Sequence, residues 1–121
     1  MSREPRQDAL EAIYQADLRD VDDPSAGLSG KAKRFVDGVV EHLEAIDEHI
    51  EAVSDNWAVS RMPAVDRAVL RLAAYELIHE QDTPKGVVIS EAVTLAKTYS
   101  TQRSGAFVNG VLSALAATVR D

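Results

Sequence analysis

The sequence contains no cysteine, which excludes disulfides, thiolate metal ligands and cysteine nucleophiles together. Aromatic residues make up only 5% of its 121 residues, so aliphatic side chains must fill the core. No apolar stretch approaches the roughly 20 residues that cross a membrane. The first residues, MSREPRQDAL, carry no apolar run typical of a secretory signal. We therefore expect a single soluble domain, located in the cytoplasm.

Positive charge is scarce. Lysine and arginine together number 13, against 20 aspartates and glutamates, and the formal net charge is −7. An acidic surface repels nucleic acid on average. Any nucleic-acid role must therefore rely on a local basic patch that acts against the overall field.

The motifs that carry catalysis are also missing. The chain has no GxSxG, no HExxH and no phosphate-binding glycine loop. His42 and His49 lie seven residues apart, whereas chelation along one helix needs ligands three or four residues apart. We predict a protein that is not an enzyme and that needs no metal or cofactor.

What the sequence does contain is helical periodicity. Apolar residues recur three and four positions apart through most of the chain, which is typical of amphipathic helices. The stretch 31–55 fits either one long helix or two helices with a kink, and the apolar stripe of residues 64–80 is wide enough for a central helix. This pattern predicts an all-α fold, a compact helical bundle of five to seven helices.

Several polar or small residues interrupt the apolar pattern. Gly110 lies on a ridge of small residues in the last helix, which favours a helix-crossing point, and Asn109 is expected to bond to a neighbouring element. Trp57 is expected to fill a gap between two halves of the bundle. Arg67 and Arg71 share one side of the central helix, and we expect them to form ion pairs or carbonyl contacts between helices.

Five segments and one tryptophan resemble the NusB family of transcription antitermination factors. In chain order they are RQDALEAIYQADL, FVDGVVEHLEAIDEHI, Trp57 followed by RMPAVDRAVLRLAAYEL, TPKGVVISEAVTLAKTYS and SGAFVNGVLSAL. The resemblance covers nearly the whole chain. It implies two helical subdomains, residues 1–60 and 61–121. It also implies an RNA-binding adaptor that pairs with NusE, a small-subunit ribosomal protein. Together the two would recognise boxA-type RNA in nascent ribosomal RNA transcripts, within the transcription elongation complex, and support read-through by RNA polymerase.

The resemblance also implies site residues. The arginine-rich RNA-contacting segment of the family corresponds to SREPRQ, which retains Arg3 and Arg6. A second RNA-facing segment of the family corresponds to TQRSGAF, which supplies Gln102, Arg103, Ser104 and Phe107. The family's NusE-facing surface includes the positions of Tyr14 and Asp66.

Some alternatives stay open at this point. Phe107 either completes the core edge or lies exposed as a stacking surface for an unpaired base. The sequence KAKR, residues 31–34, is either a solvated helix start or a second basic patch. The thin basic N-terminus also suits a protein–protein adaptor of the same fold without RNA contact. A third possibility is the related RNA-targeting domain of a ribosomal-RNA methyltransferase. Family members occur as monomers and as homodimers.

Overall fold

The computed structural model describes residues 4–55 and 57–120. These residues form six α-helices and one short 3-10 helix: α1 (Pro5–Leu18), α2 (Gly30–Glu41), α3 (Leu43–Val53), the 3-10 turn (Val59–Arg61), α4 (Ala64–His79), α5 (Lys85–Tyr99) and α6 (Gln102–Val119). Among the described helices, none combines the length and apolarity that a membrane crossing requires. The predicted all-α bundle is confirmed.

The stretch 31–55 forms two helices rather than one. His42 separates α2 from α3 because its backbone (φ −109°, ψ 19°) leaves the helical conformation. Of the two alternatives that the apolar spacing allowed, the kinked pair is therefore correct.

Helix α4 is the centre of the bundle, and all five other α-helices contact it. Its wide apolar stripe is accordingly buried on several sides. The direction of the neighbours follows from polar contacts at both ends of each helix. Arg6 at the start of α1 pairs with Glu76 near the end of α4, and Asp17 near the end of α1 pairs with Arg67 near the start of α4. Ser104 at the start of α6 bonds to Asp66 near the start of α4, and Arg120 after α6 donates to the Leu77 carbonyl near the end of α4. Helix α1 thus runs antiparallel to α4, and α6 runs parallel to it.

Three arginines tie the helices together. Arg67 contacts Asp17 at 2.7 Å and donates to the Met62 carbonyl at 2.9 Å. Arg71 bridges Asp47 and Asp17, at 2.8 and 3.2 Å. These contacts confirm the structural role predicted for both residues. The third is Arg120, whose role the sequence did not indicate: its guanidinium donates to backbone carbonyls of residues 76, 77, 80 and 83, at and beyond the C-terminal end of α4.

The small-residue ridge of α6 is not a helix-crossing point. Gly110 and Asn109 are both exposed, and a methyl group added at Gly110 would meet no atom within 4 Å. Apolar residues on the other side of α6 face the core instead. The expected packing at Gly110 is therefore wrong.

One hydrophobic core runs through the bundle. Among the described residues its buried side chains form a single cluster, and they come from every α-helix, from Val59 of the 3-10 turn and from Met62 of the connector. The division into subdomains at residue 60 stays a prediction.

Candidate nucleic-acid interface

The first turn of α6 presents two of the predicted RNA-binding residues at the surface. Thr101 caps this helix, since its side chain accepts a hydrogen bond from the Ser104 backbone N–H at 3.1 Å. Gln102 and Arg103, which follow the cap, are exposed. The N-terminal end of a helix carries partial positive charge and attracts phosphate. Arg103 adds a full positive charge to that end.

Ser104 lies in the same turn but faces the interior. Its hydroxyl donates to Oδ2 of Asp66 at 3.1 Å, and both residues are buried. Among the described residues, Oδ1 of Asp66 has no hydrogen-bond partner. The family resemblance implied that Ser104 lies on an RNA-binding surface and Asp66 on a partner-binding surface. The structure instead joins the two to each other, because α4 and α6 pack side by side here. Their contacts with RNA and NusE stay predictions.

Phe107 lies half-buried beside an exposed tryptophan. The ring centroids of Trp57 and Phe107 are 4.8 Å apart, with the planes tilted by 58°. Trp57 is 40% exposed, and its contact with Phe107 joins the two predicted halves of the chain, 1–60 and 61–121, at the surface of the bundle. We call Gln102, Arg103, Phe107 and Trp57 the α6 surface.

Arg6 lies at the other end of the bundle, in a buried ion pair. Its guanidinium donates three hydrogen bonds to the Glu76 carboxylate, the shortest 2.7 Å long. The side chains of Arg6 and Glu76 are 9% and 2% exposed. Burial raises the pKa of Glu76, and this effect outweighs the opposing hydrogen bonds and charge of Arg6. The resemblance implied Arg6 as an RNA contact; the structure places its guanidinium in the buried pair with Glu76, and the RNA contact stays a prediction. Arg3 lies outside the described residues.

Two exposed cations, Lys31 and Arg34, lie near this ion pair. Arg6, Lys31 and Arg34 each lie within 5.5 to 6.0 Å of the centroid of the Phe35 ring. Lys31 and Arg34 are exposed, and Arg34 also pairs with Glu80 at 2.9 Å. The KAKR segment therefore joins the N-terminal end of α1 rather than standing apart from it. We call Arg6, Lys31 and Arg34 the basic cluster.

The basic cluster and the α6 surface lie at different levels of the bundle. Asp66, which anchors the start of α6, precedes Glu76, which anchors the start of α1, by ten residues of α4. This corresponds to about 15 Å along the helix axis. The sequence favoured one local patch built from both segments, and the structure separates them.

Tyr14 lies at a third surface. It is half-buried and lines a hollow of about 430 Å³ between α1, α4 and α5, together with Leu10, Val65 and Tyr99. The other lining residues are Glu11 and Gln15. An apolar hollow with tyrosines at its rim suits a protein side chain. Asp66, the other predicted partner contact, does not line it.

These features define an all-helical binding protein, with a cationic turn beside two aromatic rings and a separate apolar hollow. The sequence model of the NusB family matches residues 3–117, and the chain belongs to this family. The transcription antitermination protein NusB of Trichlorobacter lovleyi is 44% identical over 133 aligned positions, which cover 100% of this chain and 94% of that protein. NusB of Clavibacter sepedonicus is 41% identical, with 93% of each chain covered.

Solved structures agree with this assignment. NusB from T. maritima superposes with a TM-score of 0.84 at 36% identity and covers 97% of this chain and 93% of its own. A crystal structure of the antitermination factors NusB and NusE in complex with double-stranded RNA contains a chain with a TM-score of 0.83 at 34% identity, with 94% of each chain covered.

Proposed function

We propose that this chain is a transcription antitermination factor. In this proposal it acts as an RNA-binding adaptor that, with NusE, recognises boxA-type RNA in nascent ribosomal RNA transcripts. The pair then joins the elongation complex and supports read-through by RNA polymerase. Similarity to NusB proteins over the whole chain is the observation that carries the proposal. It favours this function over the methyltransferase targeting domain. A factor that acts on nascent transcripts works beside RNA polymerase, so we place it in the cytoplasm.

The exposed cations explain why a partner is needed. The two surfaces carry only three exposed cations: Arg103 on the α6 surface, and Lys31 and Arg34 in the basic cluster. The net charge of the chain is −7, so these cations act against a negative overall field. Phosphate contacts supply most of the affinity for RNA, and each contact adds less than one unit to the salt dependence. We therefore expect weak, shallowly salt-dependent RNA binding by the chain alone. A basic partner beside it would raise the affinity.

The partner would bind at the hollow beside Tyr14. This surface combines an apolar floor with polar groups at its edge, as protein interfaces do. A relative has been crystallised with NusE and RNA together, which is the assembly that this proposal requires. The RNA and partner would then occupy different surfaces of the bundle, so that both can be bound at once.

The test is a titration of labelled boxA-type RNA against this chain, against NusE, and against the two together. We expect the mixture to bind at least tenfold more tightly than either protein alone. A mixture in which the proteins associate but RNA binding is not enhanced would support the protein–protein adaptor instead. The buried position of Arg6 gives that alternative its structural basis. A scrambled RNA of equal length serves as the control for sequence recognition.

A further inference from the structure

Trp57 is an exposed indole in a chain with few aromatic residues. It is the only tryptophan and it is 40% exposed, whereas Phe35 and most large aliphatic side chains are buried. Leaving so large an apolar ring in water forgoes the free energy that its burial would contribute. The Trp57 indole is set apart by its packing on the ring of Phe107, which makes a paired aromatic surface that is open to contact with another molecule.

The turn that carries Trp57 is fixed by hydrogen bonds. The Trp57 N–H donates to the Ser54 carbonyl at 3.1 Å, and the Ser54 hydroxyl donates to the Trp57 carbonyl at 2.8 Å. Ser54 itself is buried. These two bonds anchor the Trp57 backbone to the end of α3. A ring held in place before binding loses little conformational entropy when a ligand arrives.

The surroundings of the indole combine a second ring with a cation. Phe107 packs against Trp57 at a centroid distance of 4.8 Å. Arg103 precedes Phe107 by four residues on α6, which places the two side chains on the same side of the helix, one turn apart. Single-stranded RNA is bound by this combination: bases stack on aromatic rings while cations contact the phosphates.

We infer that Trp57 and Phe107 form a two-ring platform on which an unpaired RNA base stacks, with Trp57 as the more exposed ring. Arg103 and the N-terminal end of α6 contact the adjoining phosphate. This inference rests on the proposed function, because it takes RNA as the ligand, and it adds Trp57 to the residues that bind it. It also specifies unpaired rather than duplex RNA as the ligand of this surface.

Two substitutions test the inference in the complex with NusE. Trp57→Leu removes the aromatic ring and keeps an apolar side chain, whereas Trp57→Phe keeps an aromatic ring and serves as the matched control. We expect Trp57→Leu to weaken binding of single-stranded boxA-type RNA roughly 5- to 100-fold. Trp57→Phe should weaken it by a few-fold at most. Binding of a duplex of the same sequence should be unchanged in both variants.

A second measurement needs no substitution at Trp57 and follows the indole itself by fluorine NMR. Fluorotryptophan incorporated into this chain alone gives one fluorine resonance, from Trp57, whatever the composition of the partner. We expect this resonance to shift when single-stranded RNA saturates the complex and to stay in place with the duplex. This signal decides the question even if Trp57→Leu fails to fold.

The outcomes separate this inference from the proposed function. Normal RNA affinity in a folded Trp57→Leu complex would overturn the platform and leave the antitermination role intact. RNA binding without a fluorine shift would do the same. Failure of the unsubstituted complex to bind either RNA would overturn both.

Discussion

Arg6 and Glu76 form a buried pair in which one guanidinium donates three hydrogen bonds to one carboxylate across 70 residues of sequence. The pair joins the start of α1 to the C-terminal part of α4. Lys31 and Arg34 lie close by, around the ring of Phe35. Arg6, which the family resemblance implied as an RNA contact, therefore stabilises the packing of α1 on α4 beside the exposed cations Lys31 and Arg34.

Arg6→Met should be strongly destabilising. The substitution leaves the Glu76 carboxylate buried without its partner, and we expect the free energy of unfolding to fall by about 3–5 kcal/mol at neutral pH. Arg34→Met is the matched control, since it breaks an exposed ion pair with Glu80 and should cost no more than about 1 kcal/mol. Urea denaturation of the three proteins measures both effects. Equal costs for the two variants would show that burial of the Arg6 pair is unimportant.

The loss of stability in Arg6→Met should become smaller as the pH falls. Burial already raises the pKa of Glu76 with Arg6 present, and loss of the guanidinium raises it further. A carboxyl whose folded-state pKa lies above its unfolded value favours folding when protonated. The deficit of Arg6→Met relative to the parent protein should therefore shrink as the pH falls from 7 towards the unfolded pKa, about 4.3. A deficit that grows on acidification would contradict this assignment.

Two glycines in helices should respond to alanine in opposite ways. A methyl group at Gly38 would overlap the Tyr75 ring, whereas one at Gly110 would enter open space. We expect Gly38→Ala to cost about 1–3 kcal/mol through overpacking. Gly110→Ala should add about 0.5–1 kcal/mol, because alanine favours the helix. Thermal unfolding of both variants checks the signs. A loss of stability in Gly110→Ala would mean that the original expectation of close packing there was correct.

Ser104→Ala distinguishes a structural role from RNA contact. The substitution removes the only hydrogen bond that the described residues donate to the Asp66 carboxylate, so we expect a loss of about 1–3 kcal/mol. Ser113→Ala, at an exposed position of the same helix, should change stability by less than about 0.5 kcal/mol. Unchanged stability together with weaker RNA binding would instead assign the Ser104 hydroxyl to RNA.

The Tyr75 phenol should ionise at a higher pH than a free tyrosine. Burial, together with the hydrogen bond and charge of Glu80, raises the pKa of its phenol to about 12. A phenol whose pKa is raised on folding stabilises the protein below its unfolded pKa, about 10, and loses that contribution as the pH rises towards 12. A difference titration of phenolate absorbance between the parent protein and Tyr75→Phe measures the value. Glu80→Gln should lower it, and an unchanged value would remove Glu80 as a cause.

The helices were predictable from sequence because apolar residues three and four positions apart form one side of a helix, and that side is the one buried in the core. The interhelical roles of Arg67 and Arg71 followed from their position on the central helix. The placement of Arg6 was not predictable, since a cation near a chain end looks the same whether its partner is 70 residues away or absent. Gly110 was misplaced because its small size favours close packing, whereas the orientation of α6 leaves this position exposed.

The central claim is that RNA binds at the first turn of α6, and Arg103→Glu tests it most directly. The variant is compared with Arg19→Glu, which makes the same charge change at an exposed position outside the three surfaces. The measurement is the affinity of the NusE complex for single-stranded boxA-type RNA as a function of salt concentration. We predict that Arg103→Glu weakens binding at least tenfold and lowers the log–log salt slope by about 0.7, the contribution of one phosphate contact, while Arg19→Glu changes neither. Equal affinities and slopes for the two variants would contradict the account.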